Sequence, residues 1–359
     1  MFNMVRYNSL MHHTRLPDSV AAQYSELLRH AVHPTPDGSN LSFKSKRIAG
    51  KIYWYLYVSL GRRRSEHYLG AQTPALLETI EHERKLWEST SEDRVLRARL
   101  VSMLLAGGAM PTLGDEAKVL RLLERGGIFL AGGVIIGTIA FQAYANAYAN
   151  LLGVSWETHA QTRDIDTAIP VAVTADDTLS LPELLERSGM GFIAVPSLDR
   201  KAPSTAYRIR GRELSVEVLT PMIGKPDGSP KRIPQLGAWA EPVRYIGYLL
   251  EDVQIAVLLH GHGVLVNVPS PARFALHKLV VSRRRPATFA EKARRDLAQA
   301  EMLLEVLVEE RPGDVALAGE AAAGIGGKFV EQMCRGLDGL PSMLAGQVRR
   351  CAPDLPPST

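Results

Sequence analysis

No charged residue occurs between Gly126 and Trp156, a run of 31 positions. A stretch this long has two homes, a lipid bilayer or the inside of a globular core. It contains Gln142, Asn146 and Asn150 and five glycines before Asn150, and no Lys/Arg cluster flanks one side of it. Orientation across a membrane needs such a cluster. The expectation is therefore a buried strand, Ile128–Ala131, ended by Gly132 and Gly133, and then a buried helix to about Leu152, with no membrane span. The helix carries a tandem repeat, A-Y-A-N twice at 143–150. Four residues are close to one turn, so the repeat would lengthen the helix without turning its face far.

Around this centre the chain reads as mixed helix and strand. On the N-terminal side we expect a helix at 19–32, a turn-rich segment, and a β-hairpin over 51–70, K-I-Y-W-Y-L-Y-V-S-L followed by G-R-R-R and S-E-H-Y-L-G. Helices at 74–88, 91–106 and 114–125 follow. After the uncharged run come a strand from Asp164 to Ile169, a helix at 181–188, a strand at 191–195, and a hairpin of 206–210 with 214–219 about Gly211-Arg212. Residues 221–243, rich in Pro and Gly, read as an irregular loop, and 254–259 with 263–268 as a second strand pair. From Pro271 to about Arg350 the pattern is helical, and P-D-L-P-P-S-T is a tail. The expected division is 1–125 as an accessory region, 126–270 as the core, 271–350 as a helical domain and 351–359 as the tail.

Composition excludes several classes. With 46% hydrophobic and 22% charged residues the chain is neither disordered nor fibrous. Its two cysteines, Cys334 and Cys351, make no disulfide framework and no C-x-x-C zinc site, which fits a reducing, cytoplasmic setting. The N-terminus has no apolar segment of signal-peptide length. The net charge of +4 is uneven: residues 1–126 have 18 basic and 13 acidic side chains, and the remainder is close to neutral. That permits an anionic partner for the N-terminal part.

T-R-D-I-D at 162–166 is the segment with the most chemistry in it. Alternation along a strand sends Asp164 and Asp166 to one face and Ile165 to the other. Two carboxylates so spaced suit a divalent cation that shares its remaining positions with water and phosphates. Glu217, in S-V-E-V-L-T-P, is the acid best placed to be a third, since Val216 and Val218 would face inward; Glu213 is the next candidate. Gly-Gly before a helix would let backbone N–H groups approach a polyphosphate. Each piece alone has a plainer reading: an exposed strand end, a solvated glutamate, a tight turn. Their order carries the argument.

That order resembles the nucleotidyltransferase fold of the DNA polymerase β superfamily, and within it the bacterial nucleotidyltransferase-fold proteins similar to AbiEii and MenT type toxins. The residues that carry the resemblance are I-F-L-A-G-G-V-I-I-G-T-I-A-F-Q-A-Y at 128–144, T-R-D-I-D, V-E-V-L-T-P at 216–221, V-P-S-P-A-R-F-A-L-H-K-L at 268–279 and R-R-D-L-A-Q-A at 294–300. The resemblance implies an α+β fold, a small mixed sheet with helices, plus an N-terminal accessory region with a β-hairpin and a C-terminal helical bundle. It implies transfer of a nucleoside monophosphate from an NTP such as ATP to an acceptor hydroxyl on RNA, a protein or a small molecule. Asp164, Asp166 and Glu217 would hold Mg²⁺ or Mn²⁺, Gly132 and Gly133 would cradle the triphosphate, and Lys278 would bind phosphate. A catalytically inactive binding module, or a toxin component restrained by an antitoxin-like protein partner, are the alternatives it leaves. Gly133 stands where the superfamily more often has Ser, and Glu217 where it more often has Asp.

Other residues read more plainly. His260 and His262 lie in a glycine turn, His12 and His13 have no partner motif, and His277 fits helix packing. Arg62, Arg63 and Arg64 with Tyr53, Trp54, Tyr55 and Tyr57 have the composition of a nucleic-acid platform, or of a hairpin with one core face and a solvated basic turn.

Overall fold

The computed structural model describes residues 15–32, 41–48, 50–60, 63–152, 164–168, 180–197, 202–212, 214–224 and 229–356, with the backbone alone at 41, 58–60, 63–65, 67, 89 and 164–168. The N-terminal part begins with α1 (Asp18–Ala31). Three antiparallel strands follow, β1 (Leu41–Ile48), β2 (Lys51–Leu60) and β3 (Arg63–Ala71), in the order β1-β2-β3. The expected hairpin is thus the second half of a three-stranded sheet, and β1, polar at five of its eight positions, is an addition to it.

Next comes α2 (Pro74–Ala106), one helix of 33 residues where two were expected. Thr73 caps it, its hydroxyl accepting from the Leu76 N–H at 3.1 Å. Ser89-Thr90-Ser91 does not break it, because the Thr90 hydroxyl donates to the Leu86 carbonyl one turn back, at 2.8 Å. The C-terminal part of α2 packs on α1 and on the hairpin of β11 (Val253–Leu258) and β12 (Val264–Pro269) through Tyr24, Leu27, Leu100, Leu104, Val257 and Leu259. The Tyr24 hydroxyl donates to the Val257 carbonyl and accepts from its N–H, both at 3.0 Å.

The central sheet has the order β4-β5-β8-β10-β9, with β6 and β7 attached through β8. It follows α3 (Gly114–Arg125) and is built from β4 (Val134–Ile135), β5 (Asp164–Ala168), β6 (Phe192–Ala194), β7 (Ala206–Ile209), β8 (Ser215–Pro221), β9 (Lys231–Ile233) and β10 (Ala238–Val243). Between them lie α4 (Gly137–Ala147) and α5 (Leu181–Arg187), and α6 (Gly247–Leu250) follows β10. The expected loop at 221–243 therefore holds two strands. In β10 the buried positions are Ala238, Ala240 and Pro242, a period of two made of small residues and so a weak hydrophobic signal.

Residues 126–132 form a turn and not the expected strand; the strand is Val134–Ile135. The turn closes with the Gly133 N–H donating to the Ile128 carbonyl at 2.8 Å. A Cβ on Gly133 would lie 2.7 Å from Ile128 Cγ2 and 2.8 Å from its carbonyl oxygen, so the turn requires glycine there. Asn267 on β12 ties the turn down, its Nδ2 donating to the carbonyls of Phe129 at 2.8 Å and Gly133 at 2.9 Å.

The helix of the uncharged run stops at Ala147, short of the expected Leu152. Only the first A-Y-A-N is helical throughout. Asn146 is buried and satisfied by both backbone groups of Met110, and the Tyr144 hydroxyl donates to the Pro269 carbonyl at 2.7 Å. In the second copy Tyr148 accepts from Arg311 and Asn150 donates to Asp18. These polar side chains of the run are thus paired with other parts of the protein. No helix among the described residues is long and apolar enough to cross a membrane.

The C-terminal part comprises α7 (Pro271–Arg284), α8 (Ala290–Glu310), α9 (Pro312–Ile325), α10 (Gly327–Leu337) and α11 (Ser342–Cys351). One apolar cluster runs from Met110 through the sheet to Leu355, so these helices share a core with the sheet.

Candidate active site

β5 lies beside β8 in parallel, with Asp164 opposite Ser215, Asp166 opposite Glu217 and Ala168 opposite Leu219. On β8 the burial alternates: Val216, Val218 and Thr220 are buried, while Glu217 and Leu219 are partly exposed. Glu217 therefore lies on the face away from the valines, as its neighbours in the sequence require. On the far side of β5, β4 pairs antiparallel through Val134 with Ala168 and Ile135 with Thr167. The next residues along these two strands are Ile136 and Asp166. α4 begins directly after, at Gly137, whose φ of +68° suits glycine. Ile136, Gly137 and Thr138 are partly exposed between the buried pairs Val134-Ile135 and Ile139-Ala140. A helix start, whose first N–H groups have no partner within the helix, and two acid-bearing strands thus occupy one level of the sheet.

The glycines at this helix start are not the pair expected from the sequence. Gly132 and Gly133 come before β4 and close the turn described above, whereas Gly137 comes between β4 and α4. Thr162 and Arg163 of T-R-D-I-D, and Glu213, lie outside the described residues.

Lys278 is on α7, buried, with its ammonium 2.5 Å from the carboxylate of Asp296 on α8. Arg285 donates to the other oxygen of the same carboxylate. One acid, 3% exposed, holds two cations, and the cluster keeps an excess positive charge. The Lys278 ammonium is also 5.3 Å from the Phe274 ring, which meets Tyr144 of α4 edge to face at 5.0 Å. Through Phe274 the cluster adjoins the helix that starts at Gly137. Gln299, one turn beyond Asp296, is fully buried with neither amide atom hydrogen-bonded among the described residues.

Sequence reasoning missed Asp296. Its signal was position: Asp296, Ala300, Leu303 and Leu307 share the apolar stripe of α8, and an acid on such a stripe needs a buried cation. His277 is half-buried against Tyr248 and Phe329. Burial, and then the neighbouring Lys278 charge, push its imidazole down to about 3, so it is neutral. His260 and His262 lie in the turn between β11 and β12. The Arg121 guanidinium donates to the His260 carbonyl there and lies 3.1 Å from His262 Nε2. His12, His13 and Arg62 lie outside the described residues, and Arg63 and Arg64 are described by backbone alone.

The chemistry of these residues fits a hard divalent cation. Asp166 and Glu217 are paired positions on neighbouring strands, Asp164 is two residues along, and all three residues carry carboxylates.

A search of curated proteins finds no match to this chain. The sequence profile of a family described as nucleotidyltransferase matches residues 115–323, from α3 to α9. The match takes in α4, β5, β8, Lys278 and Asp296 and covers more than half of the 359 residues. The chain belongs to this nucleotidyltransferase family.

Proposed function

We propose that this protein moves a nucleoside monophosphate from an NTP to an acceptor hydroxyl, with pyrophosphate released. The observation that carries the reading is the register of β5 on β8, Asp166 level with Glu217, beside the start of α4. The acceptor oxygen attacks the α-phosphorus. The bond from that phosphorus to the α,β-bridging oxygen breaks, and the electron pair leaves with pyrophosphate. Glu217 takes the acceptor's proton. Asp164, Asp166 and Glu217 would hold Mg²⁺ or Mn²⁺, which when bound neutralises phosphate charge and makes the acceptor hydroxyl more acidic. The N–H groups at Gly137 and Thr138 receive the triphosphate, favoured by the helix dipole. In this reading Gly132 and Gly133 act one step back, by holding the turn that leads into β4. The excess charge of the Lys278–Asp296–Arg285 cluster favours a polyphosphate nearby.

Residues 126–270 would then be the catalytic core, 1–125 an accessory region and 271–350 the helical wall of the site. The acceptor is an RNA end, a protein hydroxyl or a small molecule. A kinship with AbiEii and MenT type toxins, and so a restraining protein partner in the cytoplasm, is part of the proposal. It rests on T-R-D-I-D and V-E-V-L-T-P.

The test is incubation of the purified chain with each α-labelled NTP, Mg²⁺ or Mn²⁺, and total RNA or lysate. Label should pass to RNA, to protein or to a small product, and Asp166→Asn should abolish it. Label release equal in wild type and variant would refute the reading.

A further inference from the structure

The two faces of the N-terminal sheet do different things. One is fastened to α2: Phe43 of β1 stacks on Trp87 with ring centroids 4.7 Å apart, and Trp54 of β2 lies beside Arg84 while its indole N–H donates to Gln72. Residues directly opposite on antiparallel strands share a face, and so do residues two apart. The register Lys46↔Tyr53, Lys44↔Tyr55, Tyr55↔Tyr68 and Tyr57↔Glu66 therefore gathers Tyr53, Tyr55, Tyr57, Tyr68, Lys44 and Lys46 on the other face.

The contacts agree. Tyr68 meets Tyr55 edge to face at 5.5 Å and Tyr53 at 6.2 Å. Lys46 sits 4.6 Å over the Tyr55 ring, and Lys44 5.2 Å over the Tyr57 ring. Glu66 holds Lys46 at 2.6 Å and accepts from the Tyr57 hydroxyl at 2.6 Å. Tyr68 is 60% exposed, a large aromatic left in water. Residues 41–71 include seven basic side chains and one acidic one, Glu66. A protein partner docking on an apolar patch would meet this charge as a cost; a polyanion with flat apolar faces would meet both features favourably.

We propose that this face binds single-stranded polynucleotide, bases stacking on the tyrosines and phosphates running along the lysines of β1. Stacking is tolerant of sequence, since every base has a π-face, and the basic strand supplies the charge. A duplex hides its base faces and offers only the charge term. The proposal concerns binding and stands apart from the transfer chemistry, because it is read without nucleotide or metal.

The experiment is fluorescence anisotropy of the full chain with labelled oligouridylate or oligothymidylate of about a dozen nucleotides, a length that exceeds the smaller site sizes of such platforms. Binding of either should appear and weaken steeply with salt. Tyr55→Ala and Tyr68→Ala should each weaken it roughly tenfold, and Tyr55→Phe should not. Replacing Lys44 and Lys46 with Gln should lower the slope of affinity against salt. Tyr68 is exposed enough for its variant to fold, and unchanged melting verifies each variant. The proposal is overturned if neither oligonucleotide binds at about 100 μM in low salt, or if folded tyrosine variants bind like wild type. It is also overturned if duplex RNA or polyglutamate binds as tightly, since charge alone, or an acidic protein, would then be the match.

Discussion

The Lys278 ammonium and the Asp296 carboxylate meet at 2.5 Å between α7 and α8, both buried, with Arg285 on the carboxylate's other side. Removing the acid strands the buried Lys278 ammonium and takes the partner from the partly exposed Arg285. Breaking a buried pair by taking one partner costs about 3–5 kcal/mol. Asp296→Asn should therefore lower unfolding free energy by about that amount in a urea titration. Lys278→Met combined with Asp296→Asn should cost less than the sum of the two single changes, because the stranded charge is reduced.

Asp164→Asn and Asp166→Asn should each abolish label transfer. Neither should lower the melting temperature by more than a few degrees, since removing a like charge from a carboxylate cluster relieves repulsion. Full activity in either variant would remove these residues from the site.

Gly133→Ala should act on stability first. Its Cβ would press on the Ile128 carbonyl at 2.8 Å, and backbone there cannot step aside cheaply. We expect a loss of about 1–3 kcal/mol, as for overpacking in a tight core, with nucleotide affinity unchanged in the folded fraction. Gly137→Val should raise the KM for NTP and also cost stability, since a β-branched residue resists the φ of +68° there. Equilibrium binding of a non-hydrolysable NTP alongside thermal melting separates the two.

His277 predicts a pH dependence. Its folded value is lowered to about 3 by burial, against an ordinary 6.5 in the unfolded chain. Between these values the unfolded state binds the extra proton, so stability rises with pH in that window and is lost as pH falls from 6.5 towards 3. The single-site slope is at most about 1.4 kcal/mol per pH unit. His277→Gln should flatten the urea-derived stability curve by up to that slope, whatever its cost at neutral pH. An unchanged slope would mean that the ring is protonated in the fold.

Tyr24→Phe should cost about 1–3 kcal/mol, because it leaves both backbone groups of Val257 without the hydroxyl that serves them in a buried seam. Denaturant titration of the purified variant gives the number.

What the sequence disclosed depended on how local the cause was. α3 and β8 were legible because their periods are strong: the apolar stripe Ala117, Val119, Leu120, Leu123, and the alternation Val216, Glu217, Val218. That Glu217 and Asp166 fall at one level was not legible, since register between strands some fifty residues apart is set by the whole sheet. The turn at 126–132 mimicked a strand because Ile128, Phe129 and Ala131 are buried there as they would be in one. Asn267, which fastens the turn's carbonyls, lies too far along the chain to give a local signal. β9 and β10 were hidden by glycine and proline, and Asp296 by a partner on another helix.

α2 joins two places that hold it differently. Its first turns support the sheet through Arg84 and Trp87, and its last turns lie in the seam with α1 through Leu100 and Leu104. Its 33 residues span about 50 Å at 1.5 Å each. Such a rod sets both a distance and an angular phase. Seven residues inserted after Glu88 would carry the sheet outward by about 10 Å and turn it by only about 20°. Two inserted residues would move it by only about 3 Å and swing it by about 200°, just past a half-turn. The tyrosine face and the centre of the molecule are thus in gear, and chains differing here by whole heptads would keep the face aimed while changing its reach.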